Sequence, residues 1–193
     1  MKRVLKNNIN TKERWNKLLG TGGWGKERGK IYLKVKKHLP RKRKITALEI
    51  GCANGHGLIE LAKKTKNITY EACDFSDKGI KQAKKLYGKK IKFFVHDVYK
   101  DKLKKNYDYI LIIETLEHIN NPKKAVKKYL KYCNERLIVT VPYKEKGWIE
   151  HVYKFDTNSF EDIKEFKKYK IQKIVIRKKM KLIILYIFEK QNK

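Results

Sequence analysis

The sequence predicts an α/β protein: a mostly parallel, seven-stranded open sheet with one antiparallel strand and helices on both faces. Three observations carry this expectation. From about residue 44, short β-branched runs alternate with amphipathic segments of helical length. The first run ends directly in a glycine-studded turn, "GCANGHG" (51–57). The last two apolar runs, "KIQKIVIR" and "KLIILYIFEK", are separated only by a short basic turn, so one of them has to run against its neighbours.

Taken in order, residues 10–39 read as helical, interrupted by "GTGGWG" (20–25), whose glycines do not sustain a helix. In "KERGKIYLKVKKHL", Ile31, Val35 and Leu39 fall on one stripe, and Pro40 stops it. "ITALEI" (45–50) is the first strand, "HGLIELAKK" (56–64) a helix and "ITYEACD" (68–74) the second strand. "SDKGIKQAKKLYG" (76–88) is a helix with Ser76 as N-cap and Gly88 as its stop. "IKFFVHD" (91–97) and "YDYILII" (107–113) are the third and fourth strands. Pro122 opens the helix of "NPKKAVKKYLKYC", and "RLIVTVP" (136–142) is the fifth strand. "TNSFEDIKEFKKY" reads as a capped helix before the final two strands. No linker or repeat divides the chain, so one domain is expected, with a helical cap over 1–43 and the core over 44–193.

Composition narrows the class. With 41% hydrophobic residues the chain can bury a core although 36% of it is charged. No run of about 18 apolar residues suggests a membrane span, and the start lacks the apolar stretch of a signal peptide. Three cysteines, Cys52, Cys73 and Cys133, lie in or beside apolar runs without metal-type spacing, which suggests buried thiols in a reducing cytoplasm. The net charge of +30 admits RNA or an anionic surface as a partner, the latter by peripheral association. The lysines are nonetheless spread over nearly every segment, as an AT-rich genome alone would produce.

In an open parallel sheet the ligand lies beyond the carboxyl ends of the strands, where strand order reverses. That rule brings 49–57, Asp74, Asp97, 114–118 and 142–151 to one edge. The glycine turn fails the G-x-G-x-x-G dinucleotide pattern in both registers, because Ala53, His56 and Glu60 stand where glycines belong. Glu49 before the turn suits an amino group better than a pyrophosphate. The helix N-terminus after the turn then remains free for a single carboxylate, and an amino acid carrying an adenosine has both groups.

At this point the residues resemble a family. "LEIGCANG" is similar to the first motif of class I S-adenosylmethionine (SAM)-dependent methyltransferases, and "YEACDFS" and "FFVHDV" resemble their ribose and adenine segments. "YDYILIIETLEHINNP" is similar to the fourth-strand motif of ubiquinone-pathway O-methyltransferases. The resemblance implies a Rossmann-like fold, SAM as cofactor and a cofactor set of Glu49, Gly51, Ala53, Asn54, Gly55, Asp74, Phe75, Asp97, Val98 and Glu114. In that set Asp74 accepts from the ribose hydroxyls, Phe75 packs on adenine, and Asp97 with the Val98 backbone reads the adenine edge.

Glu114, Glu117 and His118 stand at i, i+3 and i+4, and His151 follows the fifth strand at the same edge. Two carboxylates and two imidazoles form a candidate divalent-metal set. The E-x-x-E-H spacing also resembles small-RNA 3′-terminal 2′-O-methyltransferases. Without metal, His118 or His151 is a candidate base for a hydroxyl acceptor. The expected reaction is O-methylation of a small molecule or lipid precursor. The alternatives are methylation of a 3′-terminal ribose of RNA and a non-catalytic SAM-binding scaffold. Trp24 and Trp148 stand either as covers of the site or as corners that pack on the sheet edge.

Overall fold

The computed structural model describes residues 1–21, 29–144, 148–178 and 181–190. In chain order its elements are β1 (Lys2–Arg3), α1 (Lys12–Gly20), α2 (Gly29–Val35), β2 (Ile45–Ile50), α3 (His56–Ala62), β3 (Ile68–Asp74), α4 (Asp77–Tyr87), β4 (Lys92–Val95), β5 (Tyr107–Ile113), α5 (Pro122–Leu130), β6 (Cys133–Pro142), β7 (Tyr153–Lys154), β8 (Tyr169–Lys178) and β9 (Lys181–Lys190). Short 3-10 turns occupy Lys36–His38, Leu116–His118 and Lys164–Lys168.

The main sheet has seven strands in the order β4-β3-β2-β5-β6-β9-β8. Pairing is parallel from β4 through β6, and β9 runs antiparallel to both β6 and β8. Strand order therefore reverses between β2 and β5, where the chain first winds outward through β3 and β4 and then returns. The carboxyl ends of β2 and β5 diverge there and leave a crevice.

Side-chain alternation divides the core in two. Ile45, Ala47, Tyr109, Leu111 and Ile113 face α2, α3 and α4, packing with Val35, Leu58, Leu61 and Ile80. Leu48, Ile50, Ile110 and Ile112 face the other way, onto α5 and an aromatic group of Phe155, Phe160, Phe166 and Phe188. Each such fully buried aliphatic side chain stabilises the fold by about 1.5–3 kcal/mol. Cys52, Cys73 and Cys133 are all buried free thiols, and burial pushes each thiol well above its ordinary pKa.

Caps follow the sequence. Ser76 accepts from the Gly79 amide at 3.0 Å, and Pro122 opens α5. The stripe of Ile31, Val35 and Leu39 is buried as its spacing requires. Two expectations need correction. The segment at 157–169 is no α-helix but turns followed by the 3-10 stretch Lys164–Lys168. Asp156 holds it, its carboxylate accepting from the Asn158 amide at 2.9 Å and from the Ser159 hydroxyl at 3.1 Å, an Asx-type turn that competes with helix. The N-terminal region is also only partly helical. β1 pairs with β7, and the Val4 amide donates to Val152 at 2.8 Å, so the first residues run extended across the sheet's carboxyl edge.

Candidate active site

The glycine turn adopts a left-handed backbone at three alternate positions, with φ of 78° at Gly51, 53° at Ala53 and 78° at Gly55. Gly51 has a second constraint: a Cβ there would lie 2.4 Å from Thr115 of the segment after β5. Thr115 thus packs directly onto the turn, and its hydroxyl donates to Ile113 at 3.0 Å. Gly57 leaves room for the Tyr32 ring, which would otherwise lie 2.1 Å from a Cβ.

Asp74, at the end of β3, binds this turn to its own strand. One carboxylate oxygen accepts from the Ala53 amide at 2.8 Å and the other from the Ser76 amide at 2.9 Å. The adjoining wall is the loop after β4. The Asp97 carboxylate accepts from the Tyr99 amide at 2.8 Å, and the Asp101 carboxylate from the Asp97 amide at 2.8 Å. From α5, the Lys128 ammonium donates to Val98 at 2.8 Å and to the Asp101 carbonyl, which fastens the loop from behind. Burial lowers the Lys128 pKa, although Asp101 and Asp97 oppose the shift. His96 is buried beneath the loop at 3.0 Å from the Tyr129 hydroxyl, and burial, then Lys128, hold it below the usual histidine range.

Glu114 closes β5 with φ 50°, its amide donating to Thr140 on β6 at 2.9 Å. Beyond it the Leu116–His118 turn presents His118. Its Nδ1 lies 3.1 Å from the Glu150 carbonyl, an atom that only accepts, so Nδ1 carries the proton and Nε2 is the basic nitrogen. The imidazole is wedged between two rings, Trp15 at 5.1 Å and His151 at 5.0 Å, centroid to centroid. His151 in turn stacks with Trp148 at 6.3 Å. Glu117 is buried, with an oxygen 3.9 Å from His118 Nε2. Ligand-type atoms of Glu117, His118 and His151 all fall within 4.8 Å of one another.

These pieces surround one pocket at the crevice. It takes Gly51, Ala53, Asp74, Phe75, Asp97, Val98, Glu114 and His118 from the expected set. Glu49, Asn54, Gly55, Glu117 and His151 are not part of its lining. Glu49 shares the face of β2 that carries Ile45 and Ala47, so it points at α2 and accepts from the Tyr32 hydroxyl. Asn54 is buried inside the turn, and Gly55 caps α3 with Phe93 packed where a Cβ would go. Glu114 belongs to the pocket and not to the close Glu117–His118–His151 group. Trp24 lies outside the described residues, and Trp148 is half exposed at the acceptor side.

Sequence reasoning missed Asn8, Asn10, Trp15, His96, Tyr99, Thr115 and Asn120, which also line the pocket. The three N-terminal residues form a connected strip over it. Asn8 donates to the His118 carbonyl at 3.0 Å, Asn10 to the Glu150 carbonyl at 2.8 Å, and the Trp15 indole to Asn10 at 3.1 Å. Tyr99 crosses from the other side, its hydroxyl accepting from the Asn120 amide at 2.7 Å.

The donor set fits SAM. A carboxylate stands at the strand end for a ribose diol, the Phe75, Val98 and Ile119 surface suits an adenine ring, and bare backbone faces the remainder. Among the described residues, no helix is long and apolar enough to cross a membrane.

Known proteins place the chain. A family model described as a methyltransferase domain matches residues 24–172. (S)-tetrahydroprotoberberine N-methyltransferase of Eschscholzia californica is 31% identical over 102 residues, which is 51% of this chain and 29% of that protein. The chain thus spans about three-tenths of the length of the curated relatives it matches. Among solved structures, magnesium protoporphyrin IX methyltransferase of Synechocystis PCC 6803 with bound S-adenosylhomocysteine (SAH) superposes with a TM-score of 0.68 at 13% identity, covering 97% of this chain and 90% of that one. The plantazolicin methyltransferase BpumL gives 0.70 at 15% identity over 93% and 90%. At those identities the structures establish the fold alone. With the sheet order, the crevice and the family model in agreement, the chain belongs to the methyltransferase-domain family.

Proposed function

We propose that the chain methylates a hydroxyl oxygen of a small-molecule acceptor, with His118 as the catalytic residue that receives the hydroxyl proton. The observation that carries this reading is the His118 Nδ1 contact with the Glu150 carbonyl, which leaves a basic Nε2 beside Glu117 at the pocket. When bound, SAM supplies an electrophilic methyl group on a sulfonium. Asp74 accepts from the ribose hydroxyls, Phe75 and Val98 hold the adenine, and Asn8, Asn10 and Trp15 cover the methyl side and exclude water. Methyl transfer is largely a matter of positioning, whereas a hydroxyl still has to lose a proton, and a base at hydrogen-bond reach contributes about 10²–10⁴-fold.

Glu117, His118 and His151 also fit a divalent cation. Their mixed carboxylate and imidazole donors suit Zn, Mn or Fe, and Mg less well. The carbonyl on His118 Nδ1 is the kind of outer partner that fixes a ligating imidazole. Such an ion would lower the pKa of an acceptor hydroxyl.

Transfer from labelled SAM to a panel of phenols, alcohols and amines tests the reading, each run with and without excess EDTA. O-methylated product is expected. Turnover confined to amines would replace it with N-methylation, the reading that the N-methyltransferase relatives favour. SAH binding with no turnover on any acceptor would favour a scaffold. Full activity in EDTA would leave His118 acting as a base alone.

A further inference from the structure

Away from the cofactor pocket, a groove opens where the chain enters β2 and β3. Lys36, Lys37, Arg41 and Lys64 line it, over an apolar floor that includes Leu39 and Pro40. Among the described residues, no Asp or Glu lines it. Among the described residues none of these four cations is in an ion pair, whereas neighbouring Lys63 and Arg43 pair with Glu60 and Glu135. The surrounding sequence, residues 30–44, contains eight Lys or Arg and no acid. Nearby His38 is held below the usual histidine range by burial first, with Arg136 and Lys37 adding to the shift. Asn67 fixes the groove's shape, its amide donating to the Pro40 carbonyl at 3.0 Å and to the Arg43 carbonyl at 2.7 Å.

We infer that this groove binds a nucleic-acid strand through its phosphates. Four like charges around one concavity repel each other in the folded protein, and a polyanion relieves that repulsion while releasing its own counterions. Concavity favours a strand over a lipid surface, since a bilayer cannot enter a groove. Among the described residues the lining has no aromatic side chain on which a base could stack, so recognition is of the backbone and is independent of sequence. The six residues of β2 separate the groove from the glycine turn by about 20 Å. A strand seated here is therefore held apart from the methyl donor, which makes the groove a recruiting surface and not the acceptor pocket.

The experiment compares two fourfold charge reversals in the full chain. One reverses the groove (K36E, K37E, R41E, K64E), and the other reverses exposed lysines on and just after α4 (K81E, K84E, K85E, K89E). Both change net charge equally. Fluorescence anisotropy reads binding of a mixed-sequence 20-mer as single-stranded RNA and as DNA across a salt series, and SAH binding reports that each variant is folded. The groove reversal is expected to weaken RNA and DNA alike at least tenfold and to flatten the log–log salt slope by about 3, four contacts at roughly 0.7 each. The α4 reversal should change affinity less than twofold. Equal losses from both reversals would overturn the inference in favour of diffuse lysine attraction. So would an unmutated chain that ignores RNA and DNA but binds anionic vesicles. Neither result depends on which acceptor is methylated.

Discussion

The two halves of the pocket are built by opposite means. The half at the glycine turn consists of strand ends and backbone: the turn after β2, Asp74 on two amides, and a loop fastened by Lys128. The half around His118 is assembled from side chains far apart in the chain. Asn8 reaches His118, Asn10 reaches Glu150, and Arg14 bonds to the Glu150 carboxylate at 2.6 Å. The first half is a product of topology. The second rests on contacts more than a hundred residues apart.

The sharpest way to break this division is His118→Ala. It is expected to lower kcat by about 10²–10⁴-fold with SAH affinity within a factor of two, read by single-turnover methyl transfer and by calorimetry. A parallel loss of SAH affinity would merge the two halves. Asp74→Ala should do the reverse, costing about 2–3 kcal/mol in SAM affinity, since a charged acceptor is removed. Unchanged affinity would remove Asp74 from the ribose.

Tyr32→Phe sharpens the boundary at Glu49. Loss of its hydroxyl should cost about 1–2 kcal/mol of stability in urea titration while SAH binding persists. Weaker SAH binding would return Glu49 to the cofactor set. The smallest effect concerns pH. His96 and His38 both titrate below their ordinary value in the folded chain, so the unfolded chain takes up protons first as pH falls through about 6.5. Stability is thus complete above that pH and declines below it, and His96→Gln should reduce the drop in Tm between pH 7.5 and 5.5.

The division also explains what the sequence made legible. β2, β3 and β5 could be read to the residue, because continuous apolar runs bounded by turns leave no second register. Asp74 could be read because its place at a strand end is topological. Glu49 stands apart from the pocket lining, since period-two alternation directs it at α2 although it stands one residue before the strand ends. Asn8, Asn10 and Trp15 carry no local signal: an extended segment becomes part of a site only through what it crosses. The segment after Asp156 has helical composition, but a local carboxylate turn won.

The three buried thiols give this protein a built-in clock. Cys52 lies in the glycine turn and Cys73 beside it, while Cys133 sits at the opposite end of the sheet, where β6 begins. A thiol held protonated and enclosed reacts with an alkylating reagent only when its surroundings open. Labelling rates at these cysteines therefore report separately on breathing at the two ends of one sheet, without any introduced probe. Slowing by SAH at Cys52 and Cys73, with Cys133 unaffected, would show that the ligand quiets one end of the molecule alone.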